Sequence, residues 1–245
     1  MKKFLSLSEI AQIHDGVLRG QSLNQITAIL QKPKSSVYYQ FRKIKGMTLK
    51  PMLIDDSNQE LVGEFMGLFA GDGSFYKSKD YKYNIRLHFC VRDEKYIALL
   101  QRDVLSRIFS KLPFKLYQEN RLSLSYNSKE MYRFVREYLE WDQKDAKTYT
   151  VRLRNIVHST AFIIGFLRGN LDSDGHIAKN RIMFATVSTL LKEDICSCLS
   201  DIGIPFHYYL YSEKRLNRCD MHHISINKQN MATFLAIIRP RNIKK

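Results

Sequence analysis

Acid is scarce in this chain. Against 39 lysines and arginines stand 24 aspartates and glutamates, a net charge of +15 over 245 residues. A field of that sign and size attracts polyanions, with nucleic acid ahead of an acidic membrane surface, because no strongly amphipathic basic helix stands out. Long apolar runs are also missing, which excludes a bilayer-spanning helix. The first residues, MKKFLSLSEI, carry two lysines but neither an apolar core region nor a small-residue cleavage site, and so do not read as a signal peptide. Cysteine is limited to positions 90, 196, 198 and 219, a scatter that reads as reduced thiols of an intracellular, cytoplasmic protein. No G-x-x-x-x-G-K or G-x-G-x-x-G occurs, so no nucleotide-binding loop is visible. Cys219, His222 and His223 lack a second cysteine pair at metal spacing, and adjacent histidines on a strand point to opposite faces; a zinc site is set aside. What is plentiful is core material. The chain is 44% apolar, with fourteen tyrosines and fourteen phenylalanines, enough for one large domain or two modest ones.

Residues 1–46 read as three short helices. Leu7, Ile10, Ile13, Val17 and Leu18 recur at helical spacing up to Gly20. Ser22 and Gln25 make a capping-box pattern, and Leu23, Ile26, Ile29 and Leu30 line one face of a second helix. After the turn at 31–34, Val37, Phe41 and Ile44 face inward on a third. The glycine, the capped S-x-x-x-I helix and the following S-S-V-Y resemble a resolvase-type helix-turn-helix. The resemblance implies that Lys34, Ser35, Ser36, Tyr39 and Gln40 face DNA and that Arg42 and Lys43 meet phosphates. A helical cap with solvated lysines is the plainer alternative. Residues 47–58 are a linker, broken by Gly46 and Pro51 and ending in capping residues.

Residues 59–150 and 151–245 repeat one plan: helix, two strands, helix, two strands, helix. In the first half the pattern places a helix over Gln59–Gly71, a strand over Tyr83–Arg92, a helix from Asp93 to Phe109, strands at Phe114–Gln118 and Arg121–Asn127, and a helix at Lys129–Trp141. In the second it places helices at Thr160–Leu171, Thr189–Ile202 and Lys228–Ile238, with strands between. The fold class is α+β, two pseudo-symmetric αββαββα halves with a small all-α module in front. Along Tyr83–Arg92 the residues Ile85, Leu87, Phe89 and Val91 alternate with Asn84, Arg86, His88, Cys90 and Arg92, a basic and polar face suited to nucleic acid.

The halves open on matching stretches, LVGEFMGLFAGDG (61–73) and IIGFLRGNLDSDG (163–175). Each is apolar, carries a glycine five residues before its acid (Gly67, Gly169), and ends in Asp-Gly (Asp72, Asp174). Small residues permit close helix approach. A carboxylate at a helix C-terminus faces the negative end of the dipole, and two such carboxylates side by side repel. A divalent cation removes both penalties, and two carboxylates with backbone carbonyls suit Mg²⁺. A lone Asp-Gly marks any turn; two copies with matching apolar runs and glycines carry more.

These stretches resemble the two motifs of single-chain LAGLIDADG homing endonucleases, closely at 167–175 and less so at 65–73, where Ala70 stands for the first acid. The likeness covers residues 59–245. It implies a saddle of two four-stranded sheets over double-stranded DNA, with the motif helices at the pseudo-twofold interface of a monomer. It implies Mg²⁺ held by Asp72 and Asp174 with the carbonyls of Gly71 and Ser173. It implies a basic residue near the water, Lys147 from K-T-Y-T-V-R or else Lys144, with Lys244 or Arg241 as the second-half counterpart. On this reading Arg86, His88 and Arg92, then Arg121, Ser123 and Ser125, contact DNA, and the activity is site-specific phosphodiester hydrolysis. An idle DNA-binding regulator and an RNA intron maturase share the fold and stay open. The Met1-Lys2 start and Lys244-Lys245 end read as a free-standing enzyme rather than an intein.

Overall fold

Two serines decide where the first two helices begin. The computed structural model describes residues 5–45, 51–77, 83–142, 146–212 and 219–242, and divides the chain into two units, Met1–Pro51 and Met52–Lys245. In the first unit α1 (Leu7–Leu18) starts on Ser6, whose hydroxyl accepts from Glu9 N while the Glu9 carboxylate accepts from Ser6 N. Ser22 and Gln25 make the same reciprocal cap on α2 (Leu23–Leu30). Each box satisfies two backbone donors that a helix start would leave unpaired. Gln31, in the left-handed region at φ 52°, ends α2, and the Pro33 carbonyl accepts from Ser36 N as α3 (Lys34–Lys45) begins. Ile13, Ile26 and Val37 form the core of this unit, flanked by half-buried Val17, Leu23, Leu30, Phe41 and Ile44. Leu7, Leu18 and Ile29, expected inward, are exposed. Each helix of so small a unit buries one narrow stripe, and at 100° per residue Leu7 and Leu18 fall well round from Ile13.

In the second unit α4 (Gln59–Asp72) is capped by the Asn58 side chain and leads into β1 (Gly73–Lys77) and β2 (Tyr83–Cys90). A 3₁₀ turn, Val91–Asp93, precedes α5 (Glu94–Leu100), a π turn at Gln101–Leu105 and α6 (Ser106–Ile108). Next come β3 (Phe114–Gln118), β4 (Arg121–Asn127), α7 (Lys129–Tyr138) and the two-residue β5 (Leu139–Glu140). The short α8 (Lys147–Thr150) and β6 (Arg152–Leu153) join the halves, β6 pairing with β5. The second half runs α9 (Thr160–Asp174), β7 (His176–Ala178), β8 (Arg181–Thr186), α10 (Thr189–Asp201), β9 (His207–Tyr211), β10 (Met221–Asn227) and α11 (Lys228–Ile238).

The two four-stranded antiparallel sheets have matching orders, β1-β2-β4-β3 and β7-β8-β10-β9. Ile85, Leu87 and Phe89 pair with Tyr126, Leu124 and Leu122 and are buried against the helices. In the second sheet Ile182 and Phe184 pair with Ile226 and Ile224 in the same way. One apolar core runs through both halves.

Several expected boundaries move. The strand expected over Tyr83–Arg92 stops at Cys90, so Arg92 sits in the 3₁₀ turn, off the strand face on which it was expected. The expected helix from 93 to 109 is helical throughout most of its length but widens into the π turn. α7 stops at Tyr138 because Leu139 and Glu140 are taken by β6. α9 continues past Leu171 to Asp174, so both acids are the last residues of their helices.

Candidate active site

The two acids meet because four glycines let their helices touch backbone to backbone. A Cβ on Gly63 would collide with the Phe162 carbonyl, and one on Gly67 with the Phe166 carbonyl. The reverse contacts match: Gly165 lies on the Glu60 carbonyl and Gly169 on the Glu64 carbonyl. The offset relating these pairs is the one that separates Asp72 from Asp174, so α4 and α9 are related by a local twofold. Gly63 and Gly165 were not singled out from the sequence, although their four-residue spacing to Gly67 and Gly169 was there to be seen. Gly73 and Gly175 have extended backbone, at φ −81° and −84°, so positive φ is not their reason. Each lacks room for a Cβ beside Phe69 or Leu171.

The helix ends converge. A Cβ on Gly71 would lie 2.8 Å from Asp174 Oδ2 and would collide with Ser173 Oγ. Lys147, from α8, donates to the carbonyls of Phe69 (2.6 Å), Ala70 (2.7 Å) and, more weakly, Gly71 (3.3 Å). Desolvation pulls its ammonium down to about 8, against the pull of Asp174 and Asp72. Water reaches Asp174 from one side, yet the protein packed behind it raises the carboxyl above its ordinary value despite Lys147. Asp72, Asp174, Gly71, Ser173 and Lys147 are thus gathered at one point. Lys144 and Lys244 lie outside the described residues.

Arg241, expected near the water, is engaged elsewhere. Its guanidinium bonds Glu64 at 2.5 and 3.1 Å, and Glu64 is fully buried. Arg168 donates to Glu64 Oε2 (3.0 Å), an oxygen it shares with Arg241, and also to Glu60 and the Ile238 carbonyl. Residues this far apart in sequence gave no signal of the network. Asp172, whose counterpart is Ala70, holds the tail after α11 by accepting from Arg241 N (3.0 Å) and Asn242 N (3.1 Å). Burial raises its carboxyl to about 6, those two backbone donors opposing. Asn242 Nδ2 donates to the Asp172 carbonyl (3.1 Å), the position that Lys147 takes on Ala70 in the other half.

Beside Asp72 the first sheet supplies a polar wall. His88 bridges Ser74 (2.7 Å) and Ser123 (2.9 Å), and Asn84 bridges Ser125 (2.8 Å) and Asn127 (2.7 Å). Burial lowers the imidazole, as do Arg121, Arg86 and Lys147. A cavity of about 290 Å³ is lined by Asp72, His88, Arg121, Asp172, Ser173 and Asn242 among others, so the strand face opens onto Asp72 and Asp172. Arg86 and Arg121 stand on this face, while Arg92 does not. In the first unit Lys34, Ser35 and Tyr39 are exposed on α3, Ser36 is half-buried, and Arg42 folds back on Tyr38 (2.9 Å).

The donors at the helix ends are all oxygen. Among the described residues no cluster of three or more His, Cys, Asp or Glu could hold a metal ion. That set excludes a nitrogen–sulfur zinc site there and fits a hard cation that keeps several waters.

Comparison with known proteins agrees with this geometry. Residues 161–239 match the family model of a LAGLIDADG-like domain. The fold is that of the LAGLIDADG homing endonucleases. The homing endonuclease I-DmoI in complex with DNA and manganese superposes with a TM-score of 0.57 at 17% identity, over 74% of this chain and 97% of that one. Its G20S variant, with target DNA and magnesium, gives 0.56 at 15% identity over 76% and 98%. Over 195 residues the chain is 28% identical to the Replication factor C small subunit of Methanocaldococcus jannaschii, covering 78% of this chain and 10% of that protein. The chain therefore spans about a tenth of the length of that curated relative. No described helix is long and apolar enough to cross a membrane.

Proposed function

We propose that the protein is a sequence-specific endonuclease that hydrolyses both strands of double-stranded DNA with the help of Mg²⁺ or a similar divalent cation. The observation that carries this reading is the meeting of Asp72 and Asp174 at the ends of two touching helices. Beside them are Lys147 and a sheet face bearing Arg86, His88, Arg121 and Ser123. Asp72 and Asp174 would hold the cation, with the carbonyls of Gly71 and Ser173. When bound, such an ion lowers the pKa of water and stabilises the leaving oxygen. Lys147 holds its proton at Nζ beside both carboxylates, where it stabilises the phosphate charge. Arg86 and Arg121 supply donors for guanine edges, and α3 of the first unit supplies a second DNA contact through Lys34, Ser35, Ser36 and Tyr39. The complex with I-DmoI supports DNA as the partner, and its magnesium and manganese forms support a divalent ion.

One feature favours a DNA-binding protein that does not cut: Lys147 also donates to Gly71 O, an oxygen the cation would use. At 3.3 Å this is the longest of its three bonds, and the Phe69 and Ala70 carbonyls retain the ammonium without it.

The test is incubation of the full chain with DNA spanning the flanks of its own coding sequence, with Mg²⁺ or with EDTA. Cutting in Mg²⁺ alone is expected, lost in Asp72→Asn, Asp174→Asn and Lys147→Met with binding retained. Tight binding without nicking under any condition would leave the idle reading; cutting that survives both aspartate changes would refute the metal assignment.

A further inference from the structure

The two helix ends are filled by unlike groups. At the end of α4 the Lys147 ammonium donates to the carbonyls of Phe69, Ala70 and Gly71. At the end of α9 the local twofold puts Leu171, Asp172 and Ser173 in those places. There the Asp172 carbonyl accepts instead from Nδ2 of Asn242, a neutral amide (3.1 Å). Both partners come from the chain that follows the last helix of their half, Lys147 after α7 and Asn242 after α11. The second route is the shorter. Arg239, left-handed at φ 52°, ends α11, and the tail turns directly onto Asp172.

One side chain accounts for the difference. Where α4 has the methyl of Ala70, α9 has the carboxylate of Asp172, and each of its oxygens takes one backbone donor of the tail. Oδ2 accepts from Arg241 N (3.0 Å) and Oδ1 from Asn242 N (3.1 Å). With the Asn242 amide on its carbonyl, one buried residue holds two consecutive tail residues by three bonds. The Arg241 guanidinium anchors the same segment on buried Glu64. Asn242 lines the cavity that Asp72 and Ser173 also line, so the tail reaches the place where the acids meet.

We propose that Asp172 is a positioning residue that docks the C-terminal tail in the second half of the site, so that Asn242 stands where the first half has Lys147 and the strand on that side is cut the more slowly. The proposal rests on the endonuclease reading above. Each cut consumes one water. Its oxygen bonds to phosphorus as the bond from phosphorus to the leaving sugar oxygen breaks; the attacking water releases a proton to solvent, and the leaving oxygen takes one up. Negative charge builds on the phosphate and on the leaving oxygen during the step. Lys147 brings a full positive charge to that place. The Asn242 amide brings a dipole already engaged by the Asp172 carbonyl, and charged donors make the stronger bonds. One preorganised donor is worth about a hundredfold or more in rate, so this unequal pair should separate the two cuts by at least about tenfold.

A target is selected by the full-length protein in EDTA from a random double-stranded oligonucleotide pool and placed in a supercoiled plasmid. In Mg²⁺ the nicked circle should build up before the linear form. Single-turnover cutting of end-labelled duplex should be at least about tenfold faster on one strand. Asp172→Ala should slow the other strand further and spare the first. Independently of any cutting, Asp172→Ala should speed hydrogen exchange at the Arg241 and Asn242 amides while α9 stays protected. Asp172→Asn, which keeps one acceptor, should recover part of both effects. Equal rates on the two strands overturn the proposal, as do equal losses on both strands in Asp172→Ala or unchanged exchange at the two amides. Loss of only the slower cut in Lys244→Ala would put an ammonium in the second half and overturn it too. Binding with neither strand cut refutes the endonuclease reading itself, an outcome distinct from equal cutting of both.

Discussion

Gly67 and Phe166 touch backbone to backbone: a Cβ added to Gly67 would run into the Phe166 carbonyl oxygen and come within 2.7 Å of Asn170 N. Both obstacles are main chain of a helix and cannot rotate away. Gly67→Ala must push α4 and α9 apart, with Asp72 and Asp174 at the end of the lever. The expected cost is about 3 kcal/mol, the upper end for overpacking, read as a lower urea midpoint. Gly169→Ala should match it, because its surroundings are equivalent. Gly203 has open space around it but a φ of +69°, so Gly203→Ala should cost only about 1 kcal/mol of backbone strain. Equal midpoints for wild type and Gly67→Ala would mean that the helices do not approach this closely.

The buried charges Glu64 and Arg168 make a second, separable prediction. Glu64 is fully buried and Arg168 nearly so, and the carboxylate is shared between Arg168 and the more exposed Arg241. Removing Arg168 leaves buried acid with one partner, and Arg168→Ala should cost about 3–5 kcal/mol. Arg241→Ala should cost less. Because both arginines answer to one carboxylate, the two losses should not add in a double-mutant cycle. Strict additivity in denaturant unfolding would refute a shared network.

How much of this was legible depended on how local the cause was. The Ser22–Gln25 cap, the β3–β4 strands and the acids at the helix ends are set by neighbours in sequence, and the sequence shows them. The loss of Arg92 from the strand face, where Val91 N bonds the Asn120 carbonyl, and the Glu64–Arg168–Arg241 network are set by partners many residues away. Arg241 illustrates the difference: as a basic residue near the C-terminus it read as a companion of the water, but a buried carboxylate from the other half claims it. Lys147 was legible through a short motif, although its bonds to three α4 carbonyls were not.

Asp194 gives stability a pH dependence whose sign follows from its surroundings. Its carboxylate accepts from Leu153 N (2.6 Å) and lies 3.8 Å from Arg152, but burial outweighs both and raises it to about 6, from an ordinary 3.8. Between those values the folded protein holds a proton that the unfolded chain has released, so stability falls as pH rises through that window. Above about pH 6 the penalty is fully present. Asp194→Asn keeps an acceptor for Leu153 N and removes the charge. It should raise the melting temperature near pH 7 and leave it unchanged near pH 4. A variant less stable than wild type at pH 7 would show that the ion pair with Arg152 outweighs burial.

The outward side of α3 decides what the first unit is for. Ile13, Ile26 and Val37 hold the unit together, whereas Lys34 and Tyr39 are exposed and neither belongs to that core. Replacing both by alanine should therefore leave thermal unfolding unchanged. If α3 enters a major groove by its N-terminal residues, the double variant should bind the selected duplex more weakly and protect fewer base pairs at one end. If Lys34 meets a phosphate as it faces DNA, its loss alone should lower the slope of log affinity against log salt by about 0.9. Arg42 offers a contrast, because its guanidinium bonds Tyr38 and already lies over that ring. Its replacement should disturb α3 itself, whereas that of Lys34 should not. An unchanged footprint and salt slope in the Lys34 and Tyr39 variant would make the three helices a structural cap with no part in recognition.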